Sequence, residues 1–195
     1  MALDVNKLKG ELLKLIDPND PHFVGHPTNA TDFANNWANA YDTYAKDAQD
    51  VSGDPVLTAH KSSMAARLLT LNVPAGVIAT AASTFDQALA DYWIGATFAT
   101  LIVPTPAAAC ASVGGTGLWS AEASSVVSAV TAHVLEASML SLLAIPSDDP
   151  NVKATALANA FHAATTSAVK VTITGTDTTT PPTGPLTITN TCGVT

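Results

Sequence analysis

Apolar residues return at helical spacing through most of the chain, and the period shortens to two near its end. Leu3, Val5, Leu8, Leu12, Leu15 and Ile16 form one stripe, with Lys7, Lys9, Glu11 and Lys14 between them. This predicts an amphipathic first helix, ended by Asp17-Pro18-Asn19-Asp20-Pro21. A second helix is expected from Asn29 or Thr31, with Asp32 in its first turn and Phe33, Trp37, Ala40, Tyr41, Tyr44 and Ala48 on one face; Ser52-Gly53-Asp54-Pro55 ends it. A third is read over 56–71, closed by Pro74. Ser83-Thr84-Phe85-Asp86 resembles a capping box and predicts a fourth helix over 84–103. Its small residues (Ala88, Ala90, Gly95, Ala96, Ala99) let neighbouring backbones approach, which places it at the centre of a bundle. A fifth is read over 121–144, with Val126, Val127, Val130, Val134, Leu135, Leu142 and Leu143 and only Glu136 charged after its first turn. A helix apolar on most sides is buried on most sides, in part against another copy of the chain. Asp149-Pro150 opens a sixth, running to about Ala168.

Beyond Ala168, Val169, Val171 and Ile173 alternate with Lys170, Thr172 and Thr174, and Leu186 and Ile188 with Thr187 and Thr189. That is the signature of a β-hairpin, its long loop at 176–185. Eleven of the last 24 residues are threonine, which suits strands. The expected fold is therefore mainly α: a helical bundle of five or six helices over 1–168 with a C-terminal β-hairpin arm over 169–195. Its core is expected around Trp37, Tyr41, Phe85, Leu89, Trp93, Val130, Val134, Leu157 and Phe161. A two-stranded hairpin is marginal alone in water, and no other segment reads convincingly as a strand. The apolar face of Val169, Val171, Ile173, Leu186 and Ile188 is accordingly expected to be an intermolecular interface, with packing on the chain's own helices as the alternative.

Composition narrows the function. The chain has 195 residues, 47% hydrophobic and only 12% charged, with a net charge of −8. Eight Lys plus Arg against 16 Asp plus Glu argue against a nucleic-acid partner and against a polybasic membrane-surface binder. The charge-free stretch from Tyr92 to Ala121 is broken by Pro104 and Pro106, so its helical part is too short to cross a bilayer. Asp4, Lys7 and Lys9 interrupt any secretory signal, so Cys110 and Cys192 are expected as free thiols.

Candidate chemistry is sparse. His22 and His26 are four apart but lie in a loop between Pro21 and Pro27, and a pocket with Asp32 is the best case for a small hydrolase. His133 and His162 fall among Ala, Thr and Val, and read as interior or interface residues. Nothing around Cys110 forms a nucleophile signature. Val113-Gly114-Gly115-Thr116-Gly117 lacks the Lys-Ser/Thr ending of a phosphate loop and follows no predicted strand. Asp86 and Asp91 diverge on a helix, and Glu122 and Glu136 are too far apart for paired acid–base work. No catalytic residue, cofactor or metal is expected.

Phe85-Asp86 with Tyr92-Trp93, the Gly-rich mid-chain turn, Ala160-Phe161-His162-Ala163-Ala164-Thr165 and the Thr-rich end together resemble small virion structural proteins of tailed bacteriophages. The resemblance implies a non-enzymatic neck, tail or baseplate component, made in the host cytoplasm and carried in the virion, with copies of itself and other virion proteins as partners. A monomeric helical adaptor for one protein partner is the alternative, a small soluble hydrolase the third.

Overall fold

The computed structural model describes residues 3–50, 52–71, 77–101, 111–113, 121–144, 147–177 and 186–195, of which 111–113, 121–123, 176–177 and 186–192 by their backbone. Among them are six helices, α1 (Val5–Ile16), α2 (Ala30–Ala45), α3 (Lys61–Leu69), α4 (Ile78–Trp93), α5 (Val134–Ala144) and α6 (Pro150–Ala168). Six strands accompany them: β1 (Val56–Thr58), β2 (Thr97–Phe98), β3 (Ala111–Val113), β4 (Ala121–Val130), β5 (Val169–Asp177) and β6 (Leu186–Gly193). They form one antiparallel sheet in the order β1-β2-β4-β5-β6-β3. Each helix packs on the next in the chain, and α6 returns to α1, so the helices close a ring. The sheet joins it where α4 meets β4 and α6 meets β5 and β6. No described helix is long and apolar enough to cross a membrane.

Local chemistry sets the helix starts. Asp4 Oδ1 accepts from the Asn6 N–H at 2.8 Å, Asn29 Oδ1 from the Asp32 N–H at 2.9 Å, and Asp149 Oδ1 from the Asn151 N–H at 2.8 Å, with Pro150 at the first helical position of α6. The ring interior is filled by Tyr41, Tyr44, Tyr92, Trp93 and Phe161 among Leu8, Leu12, Met64, Leu68, Leu89, Leu135 and Met139, all fully buried. Edge-to-face contacts such as Tyr41–Tyr92 (5.0 Å, 88°) and Phe85–Phe161 (6.0 Å, 88°) link α2, α4 and α6. The expected core holds at Tyr41, Phe85, Leu89, Trp93, Leu157 and Phe161; Trp37, Val130 and Val134 pack against it partly buried.

The mainly helical reading stands, with three corrections. The segment expected to open the third helix is strand β1, and the helix starts at Lys61. The fourth helix begins at Ile78 and ends at Trp93, where Gly95 at φ +78° turns the chain into β2. Ser83-Thr84-Phe85-Asp86 therefore lies inside a helix, and the Thr84 hydroxyl donates to the Thr80 carbonyl at 2.8 Å. The third correction changes the architecture. The expected fifth helix divides into β4 and α5 across a turn in which His133 takes φ +68°. Valines at 126, 127, 130 and 134 satisfy a helical stripe, but β-branched residues with serine between them also satisfy a strand, and β5 supplies the partner.

That partner removes the reason for an intermolecular hairpin. β5 pairs with β4 along one edge, Val127 opposite Val171 and Val130 opposite Val169, and with β6 along the other. Val169, Val171 and Ile173 are each 0% exposed in the chain's own core. The face that needed covering is filled from within the chain, as in the alternative reading. Leu186 and Ile188 lie in β6, paired through their backbones with Asp177 and Gly175; their side chains fall outside the described residues. Within 169–195, β5 and β6 pair with each other and lie inside the sheet, between β4 and β3.

Candidate functional site

Three clusters of titratable and hydroxyl groups among the described residues hold the fold together. The first is the ring interior. Trp93 Nε1–H donates to Tyr41 Oη at 2.6 Å, and Tyr41 Oη lies 2.7 Å from Thr165 Oγ1. The Thr165 hydroxyl proton is committed to the Phe161 carbonyl at 2.7 Å, so the Tyr41 hydroxyl is the donor to Thr165. The result is a directed chain from α4 through α2 to α6. Tyr92 donates to Asp42 Oδ1 at 2.9 Å, and Asp42 Oδ2 pairs with Lys46 Nζ at 2.6 Å. Tyr44 Oη meets His162 Nδ1 at 2.8 Å. Burial pushes the hydroxyls of Tyr41, Tyr44 and Tyr92 above the ordinary tyrosine range.

The second place is Asp86, buried on α4. Its carboxylate accepts from the backbone N–H groups of His133 (3.0 Å), Leu135 (3.0 Å) and Glu136 (3.3 Å). It therefore caps α5 from a different helix. Asp86, His133 and Glu136 bring three ligand-type atoms within 4.8 Å of one another. His133 Nδ1 is hydrogen-bonded to Glu136 Oε2, and its side chain is 77% exposed. A helix N-terminus with three N–H groups aimed at one carboxylate favours an anion there, and Asp86 is that anion. The arrangement is a cap with an exposed His–Glu pair beside it.

The third is the loop after α2. Asp50 Oδ1 accepts from the N–H groups of Ser52 (2.9 Å) and Asp54 (3.1 Å), and Asp50 Oδ2 from the Ser125 hydroxyl at 2.7 Å. Asp54 Oδ1 accepts from the Leu101 N–H at 3.1 Å. Burial, with Asp54 nearby, raises the Asp50 pKa, against the pull of these hydrogen bonds. Beside it Gln49 and Thr195 exchange both backbone hydrogen bonds, at 3.0 and 2.9 Å. Two buried carboxylates thus tie the loop to β4 and to the segment after β2.

The residues singled out from sequence do not converge. His22 and His26 are exposed; His26 lies edge-on to Phe23 at 5.3 Å. Asp32 accepts from the Thr28 hydroxyl and the Thr28 N–H (3.1 Å), one residue before the N-cap Asn29; those bonds lower its pKa. Neither histidine belongs to a three-ligand group among the described residues. Cys110 and residues 114–117 of the glycine loop lie outside the described residues, as does the Cys192 side chain.

A cavity with a mainly apolar wall opens among the described residues. It has about 320 Å³ and is walled by Ile16, Trp37, Phe85, Met139, Leu142, Leu143, Val152, Ala156 and Leu157, with Ser147 and Lys153 as its polar lining. It lies between the end of α1, the middles of α2 and α4, α5 and the first half of α6. Sequence reading missed it because its wall is assembled from five helices and carries no motif. Comparison with protein-family models, curated proteins and solved structures finds no match for this chain.

Proposed function

We propose that the chain is a non-enzymatic structural and assembly protein of a tailed-phage virion, a neck, tail or baseplate component that works through contacts with copies of itself and with other virion proteins. The observation that carries this reading is α5. Glu136 is the one charged residue among its eleven. Leu135 and Met139 face the core, yet Leu140 is exposed and Leu142 and Leu143 are half-buried around the cavity. α5 packs on both α4 and α6, and the large apolar side chain it leaves exposed, Leu140, belongs against a second protein surface. The chemistry-bearing groups lend a hydrolase less support, since Asp86 and Asp50 accept hydrogen bonds that hold the fold. The low charge fits a protein that acts through surfaces, without nucleic acid, membrane, metal or cofactor.

The test is quantitative mass spectrometry of purified phage particles from an infected culture, with the cleared lysate as control. The reading expects this chain in the particles at a fixed copy number, after synthesis in the host cytoplasm. Its absence from particles, with the protein left in the lysate, overturns the virion assignment and favours the single-partner adaptor.

A further inference from the structure

The cavity among α1, α2, α4, α5 and α6 carries polar groups that the fold does not use. Lys153 is the one charged residue in its described wall, and its ammonium makes no ion pair or hydrogen bond among the described residues. Ser147 Oγ accepts from the Asp149 N–H at 3.2 Å, while its own hydroxyl proton has no acceptor among the described residues. Lys153 also stands in the first turn of α6, a turn without an acidic residue. A helix N-terminus disfavours a cation and favours an anion, so the lysine sits there at a cost that a bound anion would relieve. Asp148 and Asp149 precede the helix but do not line the cavity, and Asp149 is committed to the Asn151 N–H at 2.8 Å.

We propose that this cavity binds a straight-chain carboxylate of about ten carbons, its alkyl chain among Trp37, Phe85, Met139, Leu143 and Leu157 and its carboxylate at the mouth, on Lys153 Nζ and the Ser147 hydroxyl. The site goes beyond the assembly reading and does not depend on it.

Each part of the ligand follows from the wall. At roughly 30 Å³ for a group the size of a water or a methylene, about 320 Å³ holds about ten of them. An alkyl chain brings no polar group into the interior, and each methylene taken from water tightens binding about fourfold. A peptide fits poorly, because its N–H and C=O groups would be buried against carbon without partners. One ammonium and one hydroxyl match the two oxygens of a carboxylate, whereas a phosphate ester brings a third oxygen with no donor opposite it. An alkylammonium is opposed by both Lys153 and the start of α6.

The experiment is isothermal titration calorimetry of the full chain with octanoate, decanoate and dodecanoate, with decanol and decylammonium as head-group controls. One site per chain is expected. Affinity should rise about 15-fold from octanoate to decanoate and then level off at dodecanoate, whose last carbons have no room. Decylammonium should not bind. Lys153→Gln, at an exposed position, should weaken decanoate about fivefold and leave decanol unchanged. Ala156→Phe fills the cavity and should abolish both, with folding checked by circular dichroism. On the unaltered chain, ω-bromodecanoate should quench fluorescence saturably through Trp37 in the wall; Trp37→Phe should lose that quenching and keep the heat of decanoate binding. The absence of saturable decanoate binding overturns the proposal, as does decylammonium binding as tightly as decanoate. So does a Lys153→Gln variant that binds decanoate like the wild type, or quenching that survives Trp37→Phe. If Ala156→Phe does not fold, the chain-length series and the quenching decide. A chain absent from phage particles that still binds decanoate loses the virion reading and keeps this site; one fixed in particles that binds none loses the site alone.

Discussion

The Tyr41 hydroxyl accepts from Trp93 and donates to Thr165, and Trp93 and Thr165 are each 0% exposed. Tyr41→Phe keeps the ring and its contacts with Tyr92 and Phe161 but removes the oxygen. The Trp93 Nε1–H then has no acceptor in a site that excludes water. Thr165 retains its bond to the Phe161 carbonyl and loses only its incoming donor. An orphaned buried donor costs about 1–3 kcal/mol, so the variant should lose about 2–3 kcal/mol once the broken second bond is included. For a chain of this size that is a drop in Tm of about 4–12 °C. Urea unfolding should shift its midpoint with an unchanged slope, since the surface exposed on unfolding is the same. Tyr44→Phe is the internal comparison: its hydroxyl meets the half-buried His162, whose ring can turn to water, so the loss should stay under about 1 kcal/mol. A Tyr41→Phe loss under about 0.5 kcal/mol, or one smaller than that of Tyr44→Phe, would refute the directed chain.

Other outcomes follow from the same contacts. Asp86→Ala strips three backbone N–H groups at the start of α5 of their acceptor and should cost about 2 kcal/mol, the upper end for a lost cap, measured by urea unfolding; Asp86→Asn should restore part of it. All three tyrosines of the chain have hydroxyls raised by burial from the ordinary value of 10.0. The folded state therefore holds protons that the unfolded chain releases, so their contribution to stability is complete below about pH 10 and declines above it. Absorbance at the phenolate band should rise only together with loss of helical dichroism; a phenolate signal from folded protein would contradict the burial. Deleting 169–195 removes Val169, Val171 and Ile173 from the core, about 5–9 kcal/mol of apolar burial, which rivals the whole stability of a typical domain. The truncated chain should be unfolded by circular dichroism, and a cooperatively melting product would show that the helices stand alone.

Where a segment's own chemistry decides, the sequence was sufficient. Asn29 and Asp149 announce two helix starts through side chains that reach their own first turns, and Pro150 confirms the second. The alternation from Val169 onward marks β5 because period two has no helical reading. Tyr41 and Tyr44 of the α2 stripe and the pair Tyr92-Trp93 reach the core because bulky side chains at helical spacing mark the face that packs on neighbouring helices. Residues 121–130 are different. Their valines and serines fit a helix face and a strand equally well, and only β5, some forty residues later, settles the choice by offering backbone partners. The same holds for Asp86, which looks like a local cap and serves a helix beginning 48 residues downstream. The cavity is likewise a product of tertiary structure: its wall is built from side chains distant in sequence, and which apolar residues stay uncovered depends on where every other element has already packed.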